Sequence, residues 1–202
     1  MPHESPFAAW ETFYVIVGSA AAALTGLQFV TIALVADHRR VRASRDDGSS
    51  IRAFGTPTVV HFSAVLFLSA MVAAPWPSIS AVADVLGACA AGALIYLIVV
   101  VRHARRQTDY AMVTQDWVFY VWLPSLTYTL LLAAAILLPS HPIGYFLVAG
   151  ASLALLFIGI HNSWDAVTYI AIDLAAAQEA QDEREEPRRH EPDRKTQHHR
   201  RR

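Results

Sequence analysis

Residues 12–36, TFYVIVGSAAAALTGLQFVTIALVA, carry no charge in 25 consecutive positions. A hydrocarbon core about 30 Å thick is crossed by about 20 helical residues. The run is therefore long enough to span a bilayer. A lone spanning strand would leave its backbone N–H and C=O groups unbonded in lipid, so the run is read as a helix.

Four further apolar stretches follow, which predicts an all-α polytopic membrane protein, a bundle of five transmembrane helices. The spans are placed at about 12–36, 54–76, 78–101, 117–138 and 143–166, within a transmembrane domain of 12–177. Charged residues make up 16% of the chain, against about 25% in soluble domains, and they are crowded between the spans. Mean hydropathy is +0.34. Two proline pairs, in APWPS (74–78) and PSHPIG (139–144), end helices and make spans 2/3 and 4/5 tight antiparallel hairpins. Pro57 falls in the first turns of span 2, where a missing N–H costs little. Pro124 lies inside span 4 and predicts a kink.

The basic residues orient the bundle. All 16 lie in three segments: 37–52 (Arg39, Arg40, Arg42, Arg45, Arg52), 102–106 (Arg102, Arg105, Arg106), and the tail after residue 183. With five spans these segments share one side. The positive-inside rule makes that side cytoplasmic, with the N-terminus (1–11, MPHESPFAAWE) outside. That N-terminus lacks the basic start of a signal peptide. The expected location is an inner (cytoplasmic) membrane. Trp10, Trp76 and Trp117 fit interfacial belts.

The fifth helix is expected to extend into the cytoplasm, because DAVTYIAIDLAAAQEAQDEREE has good helix formers and neither Gly nor Pro. A helix from 143 to about 180 would be roughly 55 Å long. Residues 178–202, with both charge signs and little to bury, are expected to be a disordered charged tail. Residues 167–202 are the segment that would meet a cytoplasmic partner. The basic C-terminus has no feature of a specific nucleic-acid reader and is read as a topology signal.

Small residues recur at four-residue spacing. Gly18, Ala22 and Gly26 form one stripe on span 1, and Gly87 and Ala91 another on span 3. Such stripes allow close helix approach in lipid, either within one bundle or in a homo-oligomer.

Polar residues at membrane depth mark the candidate site. The stretch IHNSWDAVTYI (160–170) ends the fifth apolar run. His161 is about 27 Å into span 5 from outside, Gln28 about 24 Å into span 1, and His61 about 10 Å from the cytoplasmic boundary of span 2. Tyr96 has a similar depth in span 3. His161 and Asp165, four apart, share a helix face, where a carboxylate can fix an imidazole tautomer. Gln28, His61, Tyr96, His161, Asn162 and Asp165 thus form a candidate intramembrane polar site in the cytoplasmic third. Asp84 sits close to the opposite end and is read as interfacial. The competing reading is that the fifth helix simply leaves the membrane at 160–170.

Enzymatic motifs are missing. GASL (150–153) places Ser152 about 13 Å from His161 on one helix, too far for a nucleophile and its base. There is no HExxH and no CxxC, and the single cysteine, Cys89, is read as a packing residue. The chain is therefore read as a non-enzymatic bundle whose polar site serves ion or proton passage, with the lipid bilayer as its solvent. One alternative is a membrane module that binds a partner through its cytoplasmic helix. Another is a b-type haem or metal protein with His61 and His161 as ligands; no cofactor is otherwise expected.

Topology gives the first test. A reporter active only in the cytoplasm should be active when fused after residue 202 and silent when fused at 139–142. The opposite pattern would refute the five-span orientation.

Overall fold

The computed structural model describes residues 6–41, 49–104 and 117–189. Among the described residues every regular element is helical. A 3-10 turn, Ala8–Trp10, leads into α1 (Glu11–Val41), followed by α2 (Ser49–Ala73) and α3 (Ile79–Ala104). A π-helical segment, Val118–Trp122, runs into α4 (Leu123–Leu137), and α5 is Ile143–Arg189. The chain divides into two compact units, Met1–Trp164 and Asp165–Arg202.

The first unit is apolar outside as well as inside. Its exposed residues include Ile16, Leu27 and Phe29 on α1, Phe67 on α2, Ile95 and Ile98 on α3, Leu126 and Ile136 on α4, and Phe146 and Phe157 on α5. Water does not tolerate an apolar surface that covers every helix, and lipid does. Four stretches are long and apolar enough to cross a membrane: Ala8–Ala33, Ile79–Arg102, Val118–Leu137 and Ile143–Asp165. The apolar part of α2 is shorter, Thr58–Ala73, within a helix of 25 residues. The fold is an all-helical bundle of membrane-spanning character.

The core is built from small and branched residues, among them Ala21, Val65, Leu68, Leu86, Ala90, Leu131, Ala134, Ala151 and Leu155. Close approach is concentrated at glycines. A Cβ on Gly18 would lie 2.8 Å from Ser69 Cβ, joining α1 to α2. A Cβ on Gly159 would lie 2.5 Å from a Phe62 ring carbon, joining α5 to α2. Gly87 faces Ala135 at an ordinary 3.6 Å, joining α3 to α4, with Ala91 half-buried one turn on. The α1 stripe itself divides: Gly18 is packed, whereas Ala22 is exposed and Gly26 would meet nothing within 4 Å. A period of four fixes only a helix face, and this helix wraps its neighbour for part of its length.

Aromatic edges join α1 and α5 at their N-terminal ends. Trp10 meets Phe146 and Phe7 meets Tyr145, with ring centroids 4.9 and 4.8 Å apart. At the other end Ser163 bonds Gln28. The sequence offset is 136 for the Trp10–Phe146 pair and 135 for the Gln28–Ser163 pair, so the two helices run parallel in one register.

Turn chemistry acts where the prolines place it. After α2, Trp76 Nε1–H donates to the Met71 carbonyl at 2.6 Å and closes the break. Between α4 and α5, Gly144 abuts Leu138, whose Cα would be 2.7 Å from an added Cβ, so a larger residue has no room.

One expectation is corrected. The helix does not end near 180: α5 continues to Arg189, because 178–186 consists of helix formers, and Pro187 falls only in the last turn. The expected disordered tail is thus helical over 178–189, and 190–202 lies outside the described residues. At Pro124 the irregularity is a π-helical segment just before it. Proline lacks the N–H that would bond the carbonyl four residues back, and a wider turn absorbs that loss.

Packing predicts a contrast among glycines. Gly159→Leu and Gly18→Ile should each destabilise the purified protein by about 1–3 kcal/mol through overpacking. Gly26→Leu should change stability by less than about 0.5 kcal/mol. Thermal unfolding in detergent measures all three. Equal melting temperatures would show that the two glycine contacts carry no energy.

Candidate functional site

One end of the first unit gathers polar side chains. Call it the basic end, since α3 reaches Arg102 there. Gln28 on α1, Thr58 and His61 on α2 and Asn162 on α5 are all buried, at 6%, 0%, 2% and 0% exposure. Charge-neutral polar groups inside an apolar bundle must find partners in each other or lose hydrogen bonds outright.

Two pairs bridge helices. The Ser163 hydroxyl donates to Gln28 Oε1 at 3.2 Å, fixing α5 to α1. His61 Nδ1 and the Tyr128 hydroxyl are 3.2 Å apart and fix α2 to α4. Either the imidazole N–H donates to the phenol oxygen or the phenol donates to Nδ1. The choice decides the other nitrogen: Nε2 accepts in the first case and carries a proton in the second. Nε2 is buried and has no hydrogen-bond partner among the described residues. Both amide atoms of Asn162 are in the same position.

His161 lies flat on Phe119, with ring centroids 3.5 Å apart and planes 21° from parallel. His161 and His61 are therefore anchored to different parts of the same stretch. Phe119 and Tyr128 are separated by about 13 Å along a helix. Among the described residues no group of three His, Cys, Asp or Glu side chains could hold a metal ion.

Helix geometry gives the direction of Asn162. Residues 161, 162 and 163 follow at about 100° steps around α5. His161 meets the start of α4 and Ser163 meets α1, so Asn162 points between them. The lipid-facing side is marked by exposed Ile160 and Trp164. Asn162 thus faces the interior of the bundle, where α2 lies. Phe62 on α2 packs on Gly159, one turn from Asn162.

Of the residues predicted from sequence, Gln28, His61 and Asn162 are buried in this layer, and His161 is half-buried at its edge. Tyr96 on α3 is half-buried and lies within electrostatic range of Tyr128. Asp165 falls in the second unit and is half-buried there. Asp84 is exposed near the start of α3. Ser152, the serine of GASL, donates to the Val148 carbonyl of its own helix. Three partners were missed: Tyr128, Ser163 and Phe119. For Tyr128 the signal was TYT (127–129), a polar triplet in an otherwise apolar span.

Beyond this layer the interior is mostly aliphatic, with Tyr14, Ser69 and Ser152 as buried polar side chains. Val65, Leu68, Leu131 and Leu155 are all at most 2% exposed. Comparison with family models, with curated proteins and with solved structures found no match for this chain.

The Gln28–Ser163 pair can be weighed directly. A double-mutant cycle with Gln28→Leu and Ser163→Ala should give a coupling of about 0.6 kcal/mol, and no more than about 1.7, as for other hydrogen bonds between membrane helices. The measurement is unfolding in detergent or bicelles. A coupling of zero would mean that the pair does not hold α1 to α5.

Proposed function

We propose that the bundle is a multi-pass membrane protein that handles protons or small ions at His61, with the polar layer at its cytoplasmic end. The observation that carries this reading is the state of His61 itself. It is an imidazole buried in an apolar bundle, with Nδ1 engaged by Tyr128 and Nε2 unengaged among the described residues. Histidine is the side chain whose unperturbed titration lies nearest neutral pH. Its two nitrogens let it take a proton on one side and release one from the other. Titratable residues at membrane depth are expensive to keep and commonly lie on ion or proton pathways.

The apolar layer of Val65, Leu68, Leu131 and Leu155 gives this reading a definite form. In the packed state, this aliphatic layer stands between the polar layer and the aromatic end. Passage then requires that layer to open, which makes the protein a gated conduit rather than an open pore. The distribution of arginines supports an inner-membrane location with the N-terminus outside and the C-terminus in the cytoplasm.

A second reading rests on a different observation. In the second unit α5 remains helical, and Val167 and Ile172 are 43% and 65% exposed. Those residues suit a membrane-anchored module that binds a cytoplasmic partner. A homo-oligomer fits either reading, since Ala22 and Gly26 leave a small-residue face open on α1.

The test is flux in proteoliposomes loaded with a pH-sensitive dye. Under a potassium diffusion potential, the wild type should acidify or alkalinise the lumen well above empty liposomes. His61→Leu should remove that flux while keeping wild-type elution and helicity. Tyr128→Phe should weaken it. Equal flux in His61→Leu and wild type would end the proton reading and favour the partner-binding module.

A further inference from the structure

Two buried polar groups in the site have hydrogen-bonding capacity that the described side chains do not use. Asn162 is fully buried, and neither Oδ1 nor Nδ2 has a partner among the described residues. His61 Nε2 is in the same condition at 2% exposure. They belong to facing helices. The contact between Gly159 and Phe62 sets the register of α5 against α2. The two helices are antiparallel, so stepping from Gly159 to Asn162 and from Phe62 to His61 moves both towards the basic end. Asn162 and His61 then differ in height by only about 3 Å. Asn162 points inward between its neighbours' contacts to α4 and α1, as argued above, and His61 points inward to Tyr128.

We propose that Asn162 and His61 Nε2 together hold a buried water molecule between α5 and α2. The chemistry matches that ligand. An amide offers N–H donors and a carbonyl acceptor, and an imidazole nitrogen offers either role. Water can present the complement to both, whichever tautomer the Tyr128 bond imposes. Buried waters typically make about three hydrogen bonds to groups that otherwise have none. A cation is a poorer fit: the pair brings one oxygen ligand and no charge, where a bound cation such as calcium takes about six to eight oxygens. An apolar molecule would leave the amide unbonded.

The water site deepens the proton reading, and its functional meaning rests on that reading. Nε2 is the imidazole nitrogen turned away from Tyr128. A water hydrogen-bonded there hands a proton to Nε2 as it takes one from water arriving at the basic end, or the reverse, while Asn162 fixes its position without itself titrating. Asn162 is thus a positioning residue for the proton donor of His61.

Solid-state NMR on the full-length, histidine-labelled protein in liposomes tests the site. The His61 signal is the one lost in His61→Gln. Magnetisation starting on water protons should reach the His61 ring in the wild type. In Asn162→Leu that transfer should be lost, with the Tyr128 hydrogen bond and the helicity retained. Asn162→Ser, smaller but still polar, keeps the fold testable if leucine is not accommodated, and should retain the transfer. A dry His61 in the wild type would overturn the proposal, and so would undiminished transfer in Asn162→Leu. Transfer without proton flux would remove the proton reading and leave the water site standing. Flux without transfer would do the reverse.

Discussion

Helices in lipid gain nothing hydrophobic by touching one another, because the acyl chains are as apolar as leucine. Every contact in this bundle must therefore come from shape or from polar pairing. The structure uses both at chosen points. Gly18 lets α2 approach through Ser69, and Gly159 accepts the face of Phe62. Where α1 and α5 part from the aromatic cluster of Trp10 and Phe146, the Gln28–Ser163 bond holds them at the far end. Two anchors at opposite ends define a line, and a line fixes register. The polar layer depends on that register, since sliding α5 by one turn would break the Ser163–Gln28 bond and move His161 off Phe119.

Burying polar groups in such a bundle has a consequence for their behaviour. In a low-dielectric interior a satisfied hydrogen bond is strengthened and an unsatisfied one is costly. The His61–Tyr128 pair is therefore a constraint on both helices and a chemical coupling at once. With the phenol donating to Nδ1 the ring proton sits on Nε2, and with Nδ1 donating to the phenol Nε2 accepts; passing between the two takes a proton off one ring nitrogen and puts one on the other as the phenol hydrogen turns. No backbone movement is needed for that exchange. A histidine in water has no such link between its two faces, because solvent satisfies each independently.

Much of this was legible in the sequence, for identifiable reasons. The spans were readable because a 25-residue uncharged run admits few alternatives, and the hairpin breaks because APWPS and PSHPIG stop helices by covalent geometry. That Gln28, His61 and Asn162 lie towards the same end of their helices followed from their positions along the runs. What depth cannot supply is azimuth. His61 and His161 have comparable heights, yet one turns to Tyr128 and the other lies on Phe119. The small-residue stripe failed in the same way: the period placed Gly18 and Gly26 on one face, but only the neighbouring helix decides how far that face is covered. The full length of α5 is not legible from charge density, because Gln, Glu, Ala and Arg are all favourable in a helix.

The position of the polar layer, near the basic end rather than at mid-depth, bears on mechanism. From the aromatic cluster at Trp10 to Gln28 is about 27 Å along α1, close to the full hydrocarbon thickness of about 30 Å. Gln28 and Ser163 thus sit near the basic end of the bundle, and His61 lies about one turn further from it. Between His61 and the aromatic end, aliphatic residues such as Val65 and Leu155 dominate the interior, with Ser69, Ser152 and Tyr14 the buried polar side chains among them. On the proton reading, a titratable group so placed is separated from the basic end by less packed protein than from the aromatic end. Protein interiors change between discrete packings rather than deforming smoothly. On the proton reading, the barrier is therefore the aliphatic layer and the selectivity is His61, and the two are separable: enlarging the layer alters how often the path opens, while changing His61 alters what can use it.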